Sequence, residues 1–333
     1  MLSKSNFLVD NEKKIEFLNN IKDRYADATY ELYEKLIVTL DEYENYKGVS
    51  SMNMTRKDFL ELLISLNSTS LNVLYTYRSA INNYLIYLTD IKNFKIGIME
   101  LDKITKEDLE DCINSRAEER QFITEKEYYD ILDGTGDYKD LKFTGNYQDK
   151  LVIILLWNQI KGLKNYSEII NLKKEDVNLI NRTIQLEDRI VQLTEKEIDI
   201  VTKAMKESCY IKTIQSDNHI LKQSLVDYVE GVYLVKSTAG SKNYKVATNQ
   251  IPYATLANRM TKYFNLVLKK SELTGLKIYK SSVYNRMLLE YRKKLTYSEI
   301  IEYSKKNNVR LSLSNYYREQ DIMYNKLKEQ GLL

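Results

Sequence analysis

Apolar residues recur at intervals of three and four positions along most of the chain, and this period predicts a mainly helical protein. In the first hundred residues the pattern is clearest over 68–90, where one stripe is apolar and the other faces are polar. Runs of the same kind at 11–46 and 55–64 precede it. Together the three segments predict a compact helical bundle over residues 1–100.

Helical patterns also predominate after residue 120, where short β-branched runs interrupt them. Helices are predicted at 124–132, 147–161, 166–173, 194–205 and 254–270, and at about 280–291, 297–306 and 312–329. The runs 183–186 and 189–193 predict a β-hairpin with Glu187 and Asp188 at its turn. A second hairpin is predicted between 228–237 and 241–248.

The predicted fold class is therefore mainly α with small β hairpins, in two domains. The single proline and ten glycines favour helices with short connections. Residues 101–120 contain a short capped helix and the highly charged run SRAEER, and they predict a linker. Residues 121–333 then form the second domain.

Several classes of protein are excluded by composition. No apolar run approaches the roughly 18–20 residues of a membrane span, and the first residues lack the apolar core of a signal peptide. Cys112 and Cys209 have no second Cys or His at a spacing typical of metal or redox sites. We therefore interpret them as free thiols in a reducing cytoplasm. We expect a cytoplasmic protein without a cofactor or a metal site.

Positive charge is concentrated in one part of the chain. Residues 231–295 contain thirteen Lys or Arg residues and two acidic ones, a net charge of +11 in a chain whose total is +3. A basic region of this kind indicates a polyanionic partner, most often nucleic acid, although a solvated basic face would look the same. The 28 tyrosines are consistent with phosphate contacts, with polar-tipped core positions, or simply with an AT-rich genome.

The stretch 151–177, LVIILLWNQIKGLKNYSEIINLKKEDV, is the most informative motif. An apolar helix runs into a Gly-Leu-Lys turn, and an amphipathic helix follows. This stretch resembles the "tGLRisEllaLkwsDid" motif of the tyrosine recombinase, or phage integrase, family. Further resemblances to that family occur in the family's own order, at 68–88, 121–132, 183–197, 258–288 and 311–319.

The resemblance implies a helical, SAM-like core-binding domain followed by a tyrosine-recombinase-like catalytic domain. The family cleaves DNA with a tyrosine nucleophile, and two arginines grip the phosphate oxygens through their planar forks. A hairpin lysine, a His-x-x-Arg pair and a further His or Trp complete its catalytic set.

This chain departs from that set at nearly every position. The first arginine falls on Lys164, and the hairpin lysine has Arg189 as its nearest cation. The His-x-x-Arg pair falls on Ser281 and Tyr284, and the last His or Trp falls near Asn308. A tyrosine, Tyr317 or Tyr316, remains at the nucleophile position, and the single histidine, His219, lies outside all of these motifs.

The resemblance and the lost set together imply a sequence-specific DNA-binding repressor of phage genes, a lysogeny regulator, with no catalytic residues. Its expected partner is double-stranded operator DNA, and a regulatory protein partner and the oligomeric state stay open. The alternatives are an active recombinase with a non-standard site and a scaffold that does not bind DNA. The expected DNA contacts are Arg78, Asn82, Lys164, Lys236, Lys242, Lys245, Arg259, Lys262 and Arg286.

Overall fold

The computed structural model describes residues 11–92, 96–136, 146–162, 164–215, 221–239, 249–309, 311 and 316–333. The chain divides into two compact units, Met1–Glu118 and Glu119–Leu333. Both are built mainly from helices, and the β structure is confined to two small antiparallel sheets of the second unit. The predicted fold class, mainly α with small hairpins, is confirmed.

The first unit is helical throughout its described residues. Its helices are α1 (Asn11–Arg24), α2 (Asp27–Lys47), α3 (Arg56–Ser65), α4 (Leu71–Lys92), α5 (Ile96–Asp102), α6 (Lys106–Asp111) and α7 (Ser115–Glu119), the last reaching the boundary. Apolar stripes of α1 to α4 meet in one core, as the spacing predicted. The buried ammonium of Lys14 on α1 binds Asp41 at 2.6 Å and also Glu44, both on α2, which attaches α1 to the bundle.

The predicted linker over 101–120 is wrong. Leu101, Ile104 and Leu109 are buried in the core of the first unit. The guanidinium of Arg56 on α3 also pairs with Asp108 at 2.5 Å. Short polar helices therefore conceal an apolar face here, and the first unit extends to residue 118.

The second unit contains the remaining helices and all the described strands. The helices are α8 (Glu125–Asp133), α9 (Tyr147–Trp157), α10 (Ser167–Asn171), α11 (Glu195–Lys206), α12 (Tyr253–Lys262), α13 (Gly275–Tyr291), α14 (Tyr297–Lys306) and α15 (Tyr316–Glu329). A π-helical turn, Tyr263–Val267, continues α12. Threonine capping boxes begin α8, α11 and α14.

The first sheet confirms the predicted hairpin. Strands β1 (Val177–Asn178), β2 (Thr183–Gln185) and β3 (Ile190–Gln192) pair antiparallel in that order. Ile184 lies opposite Val191, so the turn between β2 and β3 carries Glu187 and Asp188. This hairpin places Arg189 beside the end of α9.

The second predicted hairpin is not formed in the way expected. Strands β4 (Cys209–Gln215) and β5 (Leu221–Asp227) pair in residues that sequence reasoning left irregular. Residues 228–237 instead make isolated bridges, among them Lys236 with Gln250. Residues 241–248, the other predicted strand, lie outside the described residues. Sequence reasoning missed β4 and β5 because neither strand shows a clear alternation of apolar and polar residues.

Helix α9 is the centre of the second unit. Every residue from Gln148 to Trp157 is buried, and α11 and α13 pack against it. Trp157 at its end stacks on Tyr128, with ring centroids 4.5 Å apart. A helix buried on all sides has no solvent face, so its polar side chains need partners inside the protein.

Three polar residues at the start of α9 find such partners. The Asp149 carboxylate pairs with the guanidinium of Arg259 on α12, with Oδ1 and Nε 2.9 Å apart. The Gln148 side-chain amide donates to the carbonyls of Ala204 and Leu234, at 3.0 and 3.1 Å. The ammonium of Lys150 donates to the Leu132 carbonyl at 2.7 Å. These bonds connect α9 to α8, α11, α12 and the irregular 228–237 segment.

We predict that Arg259→Met destabilises the second unit by roughly 3–5 kcal/mol, because it leaves the Asp149 carboxylate buried without its counter-ion. Lys262→Met, on the exposed side of the same helix, should change stability by no more than about 0.5 kcal/mol. Urea unfolding followed by the fluorescence of Trp157, the only tryptophan of the chain, measures both. Equal midpoints for the two variants would contradict the structural role of Arg259.

Candidate functional site

The chain leaves α9 through a turn of unusual backbone conformation. Asn165 and Tyr166 are consecutive residues in the left-handed region, with φ of 53° and 54°. The Ser167 amide donates to the Lys164 carbonyl at 3.0 Å, which closes the turn just before α10. Asn tolerates this region, but a bulky aromatic residue adopts it rarely, at a cost of about 1–3 kcal/mol. The surroundings must therefore hold Tyr166 in place.

A slot beside α13 holds the Tyr166 side chain. A methyl group at Gly275 would lie 2.6 Å from the Tyr166 hydroxyl oxygen, so the absence of a side chain there makes room for the phenol. The Tyr166 ring also packs against the ring of Tyr253, with centroids 5.8 Å apart. Gly162, at φ 81°, lets the chain pass close to Glu168, because a Cβ would come within 2.7 Å of the Glu168 amide nitrogen. The turn is thus fixed at both ends.

The side chains of Lys164 and Asn165 project from this turn into solvent. Lys164 forms no ion pair with any residue in the described part of the chain. The expected loss of bidentate grip at this position therefore leaves an exposed point charge, which can meet a phosphate but cannot clamp two of its oxygens.

A pocket of about 210 Å³ lies next to the turn. It is lined by Gln159, Lys161, Gly162, Ser167, Glu168, Glu187, Asp188, Arg189, Tyr279 and Asn308. The pocket thus brings together Arg189, Asn308 and the residues around Lys164, which lie far apart in sequence. Three of its side chains are carboxylates.

Arg189, the one arginine among the described residues that line the pocket, is already bound. Both guanidinium nitrogens of Arg189 bond the two Glu168 oxygens, at 3.1 and 3.0 Å, in a fork-to-fork pair. Asp188 accepts a further bond from Arg189 at 2.8 Å and is also bonded by the Asn308 amide. Burial opposes ionisation of Asp188, but Arg189 and Asn308 outweigh it and hold the pKa of that carboxyl below its usual value. Asp188 is therefore charged at neutral pH. The described lining thus carries three carboxylates against the two cations Lys161 and Arg189.

Ser281 and Tyr284 on α13 are buried and have structural partners. The Ser281 hydroxyl oxygen accepts a bond from the Ile123 amide at 3.1 Å. The Tyr284 hydroxyl donates to the Glu319 carboxylate at 3.2 Å. Burial and this neighbouring carboxylate raise the pKa of Tyr284 far above its usual range. Neither side chain can bind a phosphate from these positions.

Glu319 on α15 also binds the cations nearest to these two residues. Its carboxylate is buried and bonds the ammonium of Lys280 at 2.7 and 2.8 Å and that of Lys277 at 3.0 Å. These bonds attach the last helix to α13. Sequence reasoning missed Glu319. The signal for it was its place three residues after Tyr316, on the same face of the predicted helix.

Of the two tyrosines at the nucleophile position, Tyr317 is 61% exposed and Tyr316 is buried. Their ring centroids lie 3.8 Å apart. Burial and contact with Tyr317 raise the pKa of Tyr316 to about 12. The accessible hydroxyl is therefore that of Tyr317, at the start of α15.

Two of the expected DNA contacts, Lys236 and Arg259, are wrong. Both are buried. Lys236 donates to Glu230 and to the Glu207 carbonyl, each at 2.8 Å, and Arg259 pairs with Asp149. Charge counted along the chain took no account of such internal pairs.

The +11 segment is much less basic at its surface than in its sequence. Of the eleven cations of this segment that the structure describes, seven pair with acidic residues, namely Lys236, Arg259, Lys270, Lys277, Lys280, Lys293 and Lys294. Lys262 and Lys269 remain exposed, with no ion pair to a described residue. Lys242 and Lys245 lie outside the described residues, as does His219.

The other expected contacts lie at the surface to different degrees. Arg286 on α13 is exposed but donates to the Asn158 side chain at 3.0 Å. Arg78 on α4 is half-buried, donates to the Leu101 carbonyl at 3.4 Å and lies 3.8 Å from Asp102. Asn82, also on α4, is half-buried. Their contact with DNA stays a prediction.

Comparison with known families gives the assignment. Residues 122–329 match the family described as MrpR, C-terminal catalytic domain. The chain belongs to the MrpR family. This match covers most of the second unit of the MrpR-family chain and includes the turn, the pocket and Tyr317. No curated protein is similar to the chain at a significant level.

Three of the solved structures similar to this MrpR-family chain are a recombinase and two integrases. A crystal structure of XerA recombinase is 14% identical, with a TM-score of 0.31, over 90% of this chain and 99% of that one. The integrase of mycobacterium phage Brujita is 10% identical, with a TM-score of 0.33, over 97% and 93%. The Tn1549 transposon integrase, in complex with transposon right end DNA, is 12% identical, with a TM-score of 0.36, over 96% and 98%. Because these TM-scores are low, the assignment rests on the family match.

Two further properties concern the described residues of the MrpR-family chain. None of the helices that the structure describes has the length and apolar character needed to cross a bilayer. Within the same residues, no group of three or more His, Cys, Asp or Glu side chains is arranged to hold a metal ion.

We predict that Lys164→Arg does not produce strand cleavage. The substitution restores one planar fork, but Arg189 stays bound to Glu168, and Ser281 and Tyr284 supply neither a proton nor a second fork. Each missing transition-state donor typically costs 10²–10³ in rate. Incubation with a nicked duplex that traps a phosphotyrosine adduct should give none for the native chain or for Lys164→Arg. A trapped adduct on Tyr317 in either protein would contradict this account of the pocket.

Proposed function

We propose that this chain is a sequence-specific DNA-binding repressor on a tyrosine-recombinase scaffold that no longer cleaves DNA. The observation that carries the proposal is the bidentate pair between Arg189 and Glu168 in the pocket. A cation held in this way cannot grip a phosphodiester undergoing attack, yet exposed cations elsewhere can still neutralise DNA phosphates.

The biological role follows from the resemblance to the master repressor of SPβ-type prophages, MrpR. In that role the chain binds phage operators in the cytoplasm, at the nucleoid, and keeps lytic genes silent in the lysogen. Release from the operator requires a signal, for which a regulatory protein partner is the natural source.

The second candidate is an active recombinase with a non-standard site, and the exposure of Tyr317 is the observation that favours it. An attack by its hydroxyl would need cations free to stabilise the phosphorane-like transition state. Lys164 is free among the described residues, whereas Arg189 is paired with two carboxylates. The repressor therefore agrees better with the pocket.

We predict a steep loss of DNA affinity with added salt. Each neutralised phosphate contributes about −0.9 to the slope of log affinity against log salt concentration. Electrophoretic mobility shifts at increasing salt, with the duplex that the purified chain enriches most strongly from a randomised library, should give a slope that corresponds to several phosphates. A flat slope, or the enrichment of no duplex, would overturn the DNA-binding function.

We predict that Tyr317→Phe leaves operator affinity and repression nearly unchanged, because a repressor has no need of a nucleophile. The variant retains the ring that packs on Tyr316 and removes only the exposed hydroxyl. Affinity measured with the enriched duplex, together with a reporter gene placed behind that duplex, tests this. If repression is lost while the thermal unfolding curve is unchanged, the hydroxyl has a role that this proposal lacks.

A further inference from the structure

The turn Lys164–Ser167 has a feature that a plain connection between two helices does not need. Tyr166 is held in the left-handed region although its side chain disfavours it, and Asn165 precedes it in the same region. Strained backbone of this kind persists only where surrounding residues enforce it, and it is found most often at functional positions.

The enforcement comes from a specific fit between two residues of the second unit. The Tyr166 phenol occupies the space above Gly275, where a Cβ would lie 2.6 Å from the hydroxyl oxygen and 3.1 Å from a methyl group of Leu156. The phenol is thus enclosed between α9 and the first residue of α13. Tyr253 closes the third side.

The result of this conformation is the position of Lys164. Its ammonium is exposed, and no described residue pairs with it. Among the described residues that line the adjacent pocket, the three carboxylates of Glu168, Glu187 and Asp188 outnumber the two cations Lys161 and Arg189. A DNA phosphate that approaches this part of the surface is therefore repelled by the pocket and attracted by the turn.

We infer that Lys164 binds a backbone phosphate of the DNA and that Tyr166, seated against Gly275, is the positioning residue that holds it there. This inference rests on the proposed DNA-binding function. The phosphate would then lie beside the pocket and not inside it. A single ammonium, that of Lys164, would hold it without bidentate geometry.

The contact itself is tested by Lys164→Gln, with Lys126→Gln as the matched control. Lys126 is an exposed lysine of α8, away from the turn in sequence. With the enriched duplex, Lys164→Gln should lower the salt slope by about 0.9 and weaken binding about fivefold at ~0.15 M salt. The control should retain the slope of the native chain.

The positioning role is tested by Gly275→Ala, whose methyl group displaces the phenol. This variant should show the same loss of salt slope as Lys164→Gln, and adding Lys164→Gln to it should cause no further loss. Adding Tyr166→Phe instead removes the atom that clashes and should restore most of the affinity. Tyr166→Asn, which keeps a side chain that tolerates the left-handed region but lacks the ring, should reproduce the loss.

Each outcome has a separate meaning. If the native chain binds its enriched duplex with a steep slope but Lys164→Gln and Lys126→Gln behave alike, the inference fails and the proposed function stands. If the losses from Gly275→Ala and Lys164→Gln multiply, or Tyr166→Phe restores nothing, the positioning role fails. If the native chain enriches no duplex, the proposed function fails first. Trp157 fluorescence during unfolding confirms that each variant is folded.

Discussion

The second unit depends on the ion pair between Asp149 and Arg259. Because α9 is buried on every side, its polar residues can be accommodated only by partners from neighbouring segments. Besides its pair with Asp149, the guanidinium of Arg259 donates to the main-chain carbonyls of Gln148 and Lys236. One side chain thereby joins α9, α12 and the irregular segment after β5.

Several other cations of the second unit are also bound by carboxylates inside the protein. Glu168 binds Arg189, and Glu319 binds Lys277 and Lys280. Such pairs stabilise the contacts of α10 with the β2–β3 hairpin and of α15 with α13. These cations therefore contribute to the packing of the second unit.

Particular residues show how far sequence reasoning reached. The helical period located the α4 stripe and the buried α9, and the β-branched runs located the β2–β3 hairpin. The motif order led to the family. Of the residues that the resemblance assigned to one catalytic set, Arg189 and Asn308 line the same pocket, and Lys164 lies in the turn beside it. Sequence reasoning failed for β4 and β5, which lack a clear alternation of apolar and polar residues. It also failed for residues 101–113, whose short helices carry buried leucines and isoleucines.

The sequence by itself determined the fold class and the family, because these depend on local periodicity and on residue identity at aligned sites. Only the tertiary structure decided which charges face solvent. Lys236 and Arg259 belong to the most basic segment of the chain, yet they are buried against acids that lie 6 and 110 positions away. Pairing over such distances is set by how helices pack, and no count of charge along the chain contains that information.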